Sequence, residues 1–353
     1  MSSYKILGIS DTSEWNTYLN SMPIEFLDVY FKPEYYNLYE HRGDGRAQCF
    51  VYENSGSIVL YPFLLNSVNK LGYELEEEYY DIQGAYGYNG IITNNGSNNF
   101  LTKFFTQFDI FCKENNIIAE FLRINPLLSN PLVQRPNFLL IHDRENIYLN
   151  LLSDSIFETD FAYSTRKNIR KAINNGLIFE CVNGSAISDT QLHSFHEIYR
   201  DTMKRNNADA YYYFDTDFFR KISQQLKDKA LFVFVSYAGV NISCELVLLG
   251  SSIAYSFLGG TLNNYYQLRP NDFLKYNTIN ALKKLGYKYF LLGGGPEGVL
   301  RYKKTFSING SIPFYIGKKV HFPDLYDNII NQWQSKYPDK IDNYRSILLK
   351  YRY

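Results

Sequence analysis

The stretch over residues 254–307, AYSFLGGTLNNYYQLRPNDFLKYNTINALKKLGYKYFLLGGGPEGVLRYKKTFS, constrains the fold more than any other part of the chain. A β-rich run enters Gly259-Gly260, a polar loop follows, and Pro270-Asn271 opens a helix that stops at Gly286. A strand over 287–292 then ends in Gly293-Gly294-Gly295. Three strands at 230–237, 240–249 and 252–259 precede the helix, turned at Ala238-Gly239 and Gly250-Ser251. A meander followed by a helix and a further strand is a mixed α/β pattern with antiparallel hairpins. It argues against a doubly wound nucleotide fold.

The rest of the chain carries the same kind of signal. In the first half, 47–53 and 57–66 read as two strands joined at Asn54-Ser55-Gly56. A Gly-, Tyr- and Asn-rich loop covers 79–95. A helix is expected over 100–115, a buried strand over 117–124, and strands at 138–143 and 147–152. In the second half, helices are expected at 164–175, 188–205 and 214–226, with a strand at 177–182. The tail offers a strand near 312–316 and helices at 324–334 and 340–350. Both halves read as paired strands, a loop, a helix and a strand. With 353 residues, two domains are expected, 1–160 and 161–353.

Composition excludes several classes. Thirty-six basic residues balance 36 acidic ones, so bulk attraction to nucleic acid or to an acidic membrane is not indicated. Cys49, Cys112, Cys181 and Cys244 form no C-x-x-C pair and read as reduced thiols. The opening Met-Ser-Ser-Tyr-Lys has no signal-peptide apolar region, and no run of 18 apolar residues exists to span a membrane. The expected location is cytoplasmic, extending to the inner face of the membrane as a peripheral protein. His193 and His196 lie three apart on a helix with no third ligand, so no metal is expected. No G-x-S-x-G elbow is present, which argues against a serine hydrolase.

The glycines of the 254–307 stretch allow a ligand close to the backbone. The helix N-terminus after Pro270 offers free amides to a phosphate. A lysine beyond a glycine loop adds a point charge to the same anion. Turns and helix caps would use the same glycines without any ligand.

Taken together, Leu258-Gly259-Gly260, Pro270-Asn271, Gly293-Gly294-Gly295 and Tyr302-Lys303-Lys304-Thr305-Phe306 resemble the FemABX and GNAT-like acyltransferase superfamily. STRKNIRKAINNG at 164–176, YRDTMKRNNADAYYYF at 199–214 and GAYGYNGIIT at 84–93 resemble further segments of the same proteins. The likeness covers roughly residues 57–307. It implies an α/β (α+β mixed) chain of two GNAT-like domains, each a mixed, mostly antiparallel sheet flanked by helices. It implies an acyltransferase with acyl-CoA as donor, acetyl-CoA foremost, and a nucleotide- or lipid-linked sugar of cell-surface glycan synthesis as acceptor. Aminoacyl-tRNA is the alternative donor, as in peptidoglycan cross-bridge enzymes. A non-catalytic glycan-binding protein is the third reading. Two departures stand out. The glycine-bearing pyrophosphate loop is replaced by Gln267-Leu268-Arg269-Pro270-Asn271-Asp272-Phe273, and no long helical arm of heptads is present.

The resemblance and the residue chemistry together nominate a site. Donor contacts would fall on Gly259, Gly260, Thr261 and Asn271. Lys303 would meet a phosphate of the acceptor. Arg166, Lys167, Arg170 and Lys171 recur at i and i+4, a basic helical face for a pyrophosphate or an RNA backbone, or simply a solvated face. Asn241, Ser243 and Glu245 share one side of a strand at period two. Glu245, in an otherwise apolar run, would serve as general base or as a structural partner of a basic side chain. Tyr86, Tyr88 and Asn89, with Asp81 nearby, would offer aromatic faces and an amide to a sugar or base, or would pack the loop.

Overall fold

The computed structural model describes residues 3–344 and 347–353. In chain order the elements begin with β1 (Ser3–Leu7), α1 (Thr12–Asn20), α2 (Pro33–Arg42), β2 (Arg46–Asn54), β3 (Ser57–Ser67), β4 (Tyr80–Gln83), β5 (Ile92–Thr93), α3 (Asn98–Glu114) and β6 (Ile117–Arg123). They continue with β7 (Leu139–Asn150), α4 (Ile156–Thr159), α5 (Tyr163–Asn174), β8 (Ile178–Asn183), α6 (Asp189–Arg205) and α7 (Thr216–Leu226). The last are β9 (Ala230–Tyr237), β10 (Val240–Leu249), β11 (Ile253–Thr261), α8 (Pro270–Lys284), β12 (Tyr289–Gly293), α9 (Glu297–Lys304), β13 (Ser311–Val320) and α10 (Pro323–Lys336).

Two compact units result, residues 1–143 with 314–353, and residues 144–313. This division differs from the expected one at 160/161. The cause is the end of β13, where Ile316 to Val320 pair antiparallel with Arg123 to Ala119 of β6. Ile329, Ile330 and Trp333 of α10 then bury against Ile118 and Ala119. The expected strands at 138–143 and 147–152 are one strand, β7. The expected helix at 340–350 is replaced by turns at 341–344 and a short 3-10 turn, Lys350–Arg352. Positions 345 and 346 lie outside the described residues.

In the first unit the strands run β1-β2-β3-β4-β6-β13, with β5 added to β3. The β2–β3 hairpin turns at Ser55 and Gly56, both at positive φ, as a tight right-twisted hairpin requires. Period two puts Phe50, Tyr52, Val59, Tyr61 and Phe63 on one face. Phe100, Phe104, Phe108 and Phe111 of α3 recur at helical spacing and cover that face. Beneath lies an ionic cluster. Buried Glu120 accepts from Tyr61 Oη at 2.6 Å, pairs with Arg135 at 2.7 Å and meets His321 Nε2 at 3.0 Å. Arg135 also reaches Asp109 at 2.6 Å, and Lys319 reaches the same carboxylate at 2.7 Å.

In the second unit the order is β7-β12-β11-β10-β9-β8, antiparallel throughout except for β11 and β12. Alternation along β9 divides its side chains between two helical layers. Leu231, Val233 and Val235 pack with Ile169 and Ala172 of α5 and with Phe273, Leu274, Ile279 and Leu282 of α8. Phe232 and Phe234 face Phe195 of α6, whose ring also meets Phe219 of α7 at 4.8 Å. Each unit is thus a mixed, mostly antiparallel sheet flanked by helices, as expected.

Candidate active site

β11 and β12 pair only through Ile253↔Tyr289, Ala254↔Phe290 and Tyr255↔Leu291. β11 continues to Thr261, so residues 256–261 have β10 along one edge and, among the described residues, no strand along the other. β12 ends because Gly293 and Gly295 take positive φ and turn the chain away. Gly294 fits there because a Cβ would lie 2.8 Å from the Arg144 and Asn146 side chains. Leu262 N–H donates to Ile242 C=O across the β10–β11 ladder. Successive residues of an antiparallel strand alternate in direction, so the Gly259 N–H points away from β10 and toward the open edge.

A polar cluster sits where the two strands part. Glu245, on β10, is buried. Its Oε1 pairs with Lys275 Nζ of α8 at 2.5 Å and accepts from Ser256 Oγ of β11. Lys275 Nζ also donates to Ser256 Oγ at 3.2 Å and lies 5.1 Å from the centre of the Phe290 ring on β12. Glu245 Oε2 is buried and has no hydrogen-bond partner among the described residues. The hydroxyl of Tyr302, on α9, is likewise buried without a partner among them. Burial, reinforced by the Asp272 and Glu245 carboxylates, pushes that phenol well above its usual range. Asp272, in the first turn of α8, is held up by burial and accepts a 3.4 Å bond from Asn168 of α5.

Lys303 belongs to this cluster. Its Nζ donates to Gly294 C=O at 2.6 Å. Burial, helped by the Lys275 charge and opposed by Glu245, pushes its pKa down to about 7. The unfolded chain therefore binds more protons than the folded one between about 7 and the ordinary lysine value of 10.5. Stability contributed at this position rises with pH across that window. Lys303→Met is expected to raise the thermal midpoint at pH 6, with the gain gone by pH 10. A midpoint difference independent of pH would show that the ammonium is not held at a cost.

The other expected residues separate into distinct local roles. Ser243 and Glu245 share the α8 face, but Asn241 bonds Ser194 of α6 at 3.1 Å instead. A bulge between Asn241 and Ser243 shifts the alternation. Thr261 donates to Asn271 Oδ1 and meets Ser243 Oγ at 2.6 Å, so these three fasten β10, β11 and α8 together. Gly260 is required by packing, since a Cβ would lie 2.7 Å from Ile198 C=O of α6. Gly259 has the same need, with Cys244 C=O at 2.6 Å. Arg166 does not stand on an open basic face. Its guanidinium donates to Glu158 C=O at 2.8 Å and Phe161 C=O at 2.7 Å, capping the turn before α5. Arg170 lies over the Phe157 ring at 5.8 Å.

In the first unit, Asn89 brackets the loop. It donates to Ala85 C=O at 2.7 Å and accepts from Arg123 N–H at 3.1 Å. Tyr86 C=O accepts from Tyr35 Oη, and Tyr88 packs edge-on against Tyr30 and Phe314. Asp81 is buried against Arg352 Nε and Tyr351 Oη, each at 2.7 Å. The packed-loop reading describes these contacts.

Sequence reasoning missed Lys275, Ser256 and Asp272. A signal existed for Lys275: it interrupts the stripe of Thr278, Leu282 and their neighbours, a lone cation at a core position of α8.

Residues 161–304 match the sequence profile of the acetyltransferase (GNAT) domain. This segment is a GNAT-type acyltransferase domain. The chain is accordingly an N-acyltransferase, with its FemABX-like GNAT fold extending beyond the matched segment. FemX resembles it with a TM-score of 0.69 at 14% identity, over 92% of this chain and 99% of FemX. The C-terminal domain of a putative lysylphosphatidylglycerol synthetase from Agrobacterium fabrum gives 0.55 at 13% identity, over 88% and 91%. A tandem GNAT protein from the clavulanic acid biosynthesis pathway gives 0.51 at 7% identity, over 91% and 99%. At these identities the likeness is one of fold. No curated protein matches the sequence. Among the described residues, no group of His, Cys, Asp and Glu could hold a metal ion, and no helix is long and apolar enough to cross a membrane.

Proposed function

We propose that the GNAT-type domain moves an acyl group from acyl-CoA to an amine or hydroxyl of a nucleotide- or lipid-linked sugar in cell-surface glycan synthesis. The observation that supports this reading is the parting of β11 and β12 at Tyr255↔Leu291, with two buried polar atoms, Glu245 Oε2 and Tyr302 Oη, left without hydrogen-bond partners among the described residues in the cluster beside it. In this reading the thioester lies along the open edge of residues 256–259, short of Thr261, whose N–H donates to Thr202 Oγ1 of α6 at 3.0 Å, and the Gly259 N–H steadies the developing oxyanion. The acceptor nitrogen attacks the carbonyl carbon. A C–N bond forms, the C–S bond breaks, the nitrogen's proton passes to Glu245 Oε2, and Tyr302 returns a proton to the departing sulfur. No covalent enzyme intermediate is needed, because holding both reactants together supplies much of the rate. Lys303 meets the phosphate of the acceptor. An anion brought against that amine would restore its full charge.

A second reading is favoured by one feature. The first turn of α8 holds the buried Asp272 carboxyl where a CoA pyrophosphate would draw on the helix N-terminus. Arg269, at φ 62, precedes it in place of a glycine-bearing loop. A donor without that diphosphate, such as an aminoacyl-tRNA, avoids the conflict. Mass spectrometry of incubations with acetyl-CoA and amino-sugar nucleotides, and with aminoacyl-tRNA, decides between them. Transfer that survives RNase and is lost in Lys303→Ala supports the first reading. Transfer seen only with aminoacyl-tRNA, and abolished by RNase, replaces it with the second. No transfer from either donor removes both.

A further inference from the structure

Lys275 lies in none of the motifs that carry the family likeness, yet it is the cation paired to the buried carboxylate of the site. Its side chain is 10% exposed and reaches from α8 across to β10. Both of its polar contacts, Glu245 Oε1 at 2.5 Å and Ser256 Oγ at 3.2 Å, converge on the same carboxylate oxygen. Oε1 is thereby saturated and cannot rotate freely. Oε2 is left buried and bare. A bare buried carboxylate oxygen is costly unless a ligand completes it. A freely turning carboxylate would instead share its two oxygens between ligand and lysine.

We propose that Lys275 is a positioning residue of the transferase, which with Ser256 pins Oε1 of Glu245 so that Oε2 alone receives the proton of the attacking amine. This rests on the reading of Glu245 as the general base. The charged and titratable groups around Glu245 are Lys275 and Asp272 on α8, Tyr302 and Lys303 on α9, and Cys244 beside it on β10. Lys275 is the cation in direct contact. Without it, the buried carboxylate keeps Ser256 as a hydrogen-bond donor but loses its directly paired cation. Desolvation then favours the protonated acid, which cannot act as a base.

The test uses the full chain with carboxyl-labelled glutamate. The Glu245 resonance is assigned by its disappearance in Glu245→Gln. In Lys275→Met, that resonance is expected to shift toward the position of a protonated carboxyl relative to the native protein at the same pH. Transfer at pH 7 is expected to fall ~100-fold and to recover as pH rises, with the acceptor KM little changed. Lys275→Arg restores both. Because Lys303 also titrates near neutrality, the resonance, not the rate alone, decides. If the carboxylate in Lys275→Met stays ionised into acid while transfer is lost equally at every pH, Lys275 is structural only and the proposal falls. If Glu245→Gln transfers at the native rate, the general-base reading fails first. The titration of Glu245 in Lys275→Met would then still report whether the lysine controls its charge.

Discussion

Glu245→Gln is expected to lower the rate of acyl transfer by about 10²–10⁴ at neutral pH, with KM for the donor unchanged. The amide keeps the shape of the carboxylate and can still accept from Ser256 and Lys275 through its oxygen. It cannot accept a proton from the incoming amine. The substitution also leaves the Lys275 ammonium buried beside Phe290 without its counter-charge, which destabilises the fold. Rate and stability must therefore be measured separately. In the double variant Glu245→Gln with Lys275→Met, the buried charges go together. The thermal midpoint is expected to recover while the rate stays low. A correctly folded Glu245→Gln protein that turns over at the native rate would remove Glu245 from the chemistry.

Arg135→Met is expected to destabilise the first unit by ~3–5 kcal/mol, the usual cost of orphaning a fully buried ion-pair partner. For a unit of this size that is roughly a 10 °C fall in thermal midpoint. Glu120 has no exposure, and its guanidinium partner lies 2.7 Å away, framed by Phe105, Phe108 and Phe138. Burial alone would push the Glu120 carboxyl up, but Arg135 and His321 hold it well below the usual carboxylate range. A carboxyl depressed in the folded state contributes stability that is present above its unfolded value of about 4.5 and lost as pH falls below it. The deficit of Arg135→Met against the native protein should therefore be full at pH 7 and shrink as the solution is acidified. Glu120→Gln added to Arg135→Met should recover part of the loss, because the uncompensated charge disappears with it. A double variant no more stable than Arg135→Met alone would mean that packing, not charge, sets the cost.

The hairpins show what local sequence can carry. Asn54-Ser55-Gly56 and Ala238-Gly239 supply the positive φ values that tight turns need, and in the first of these hairpins unbroken alternation carries the facing of the side chains along both strands. The helix α3 is equally local, because its phenylalanines repeat at helical spacing. The site was legible only in part. Glu245 and Lys303 stood out as a carboxylate in an apolar strand and a lysine after a glycine run. Asn241 shares a period-two side with Glu245 along the chain, but one bulge moves it to the opposite face. Arg166 read as part of a basic helical face, for an anion or for solvent, but its guanidinium donates to the carbonyls of Glu158 and Phe161.

Residues a few positions apart were enough to set most of the helices and strands and the mixed α/β class. They also marked 254–307 as the stretch where chemistry would gather. Three outcomes came instead from the packing of distant segments. β11 and β12 part after Tyr255↔Leu291, Lys275 meets Glu245 thirty residues away, and β13 and α10 return to the first unit. Those outcomes depend on which apolar faces bury each other and which strand edges find partners. No spacing along the chain encodes that choice. The 254–307 stretch is therefore half explained by its own residues. Its glycines turn and pack the strands, and the charge beside the opening comes from side chains that the fold brings to it.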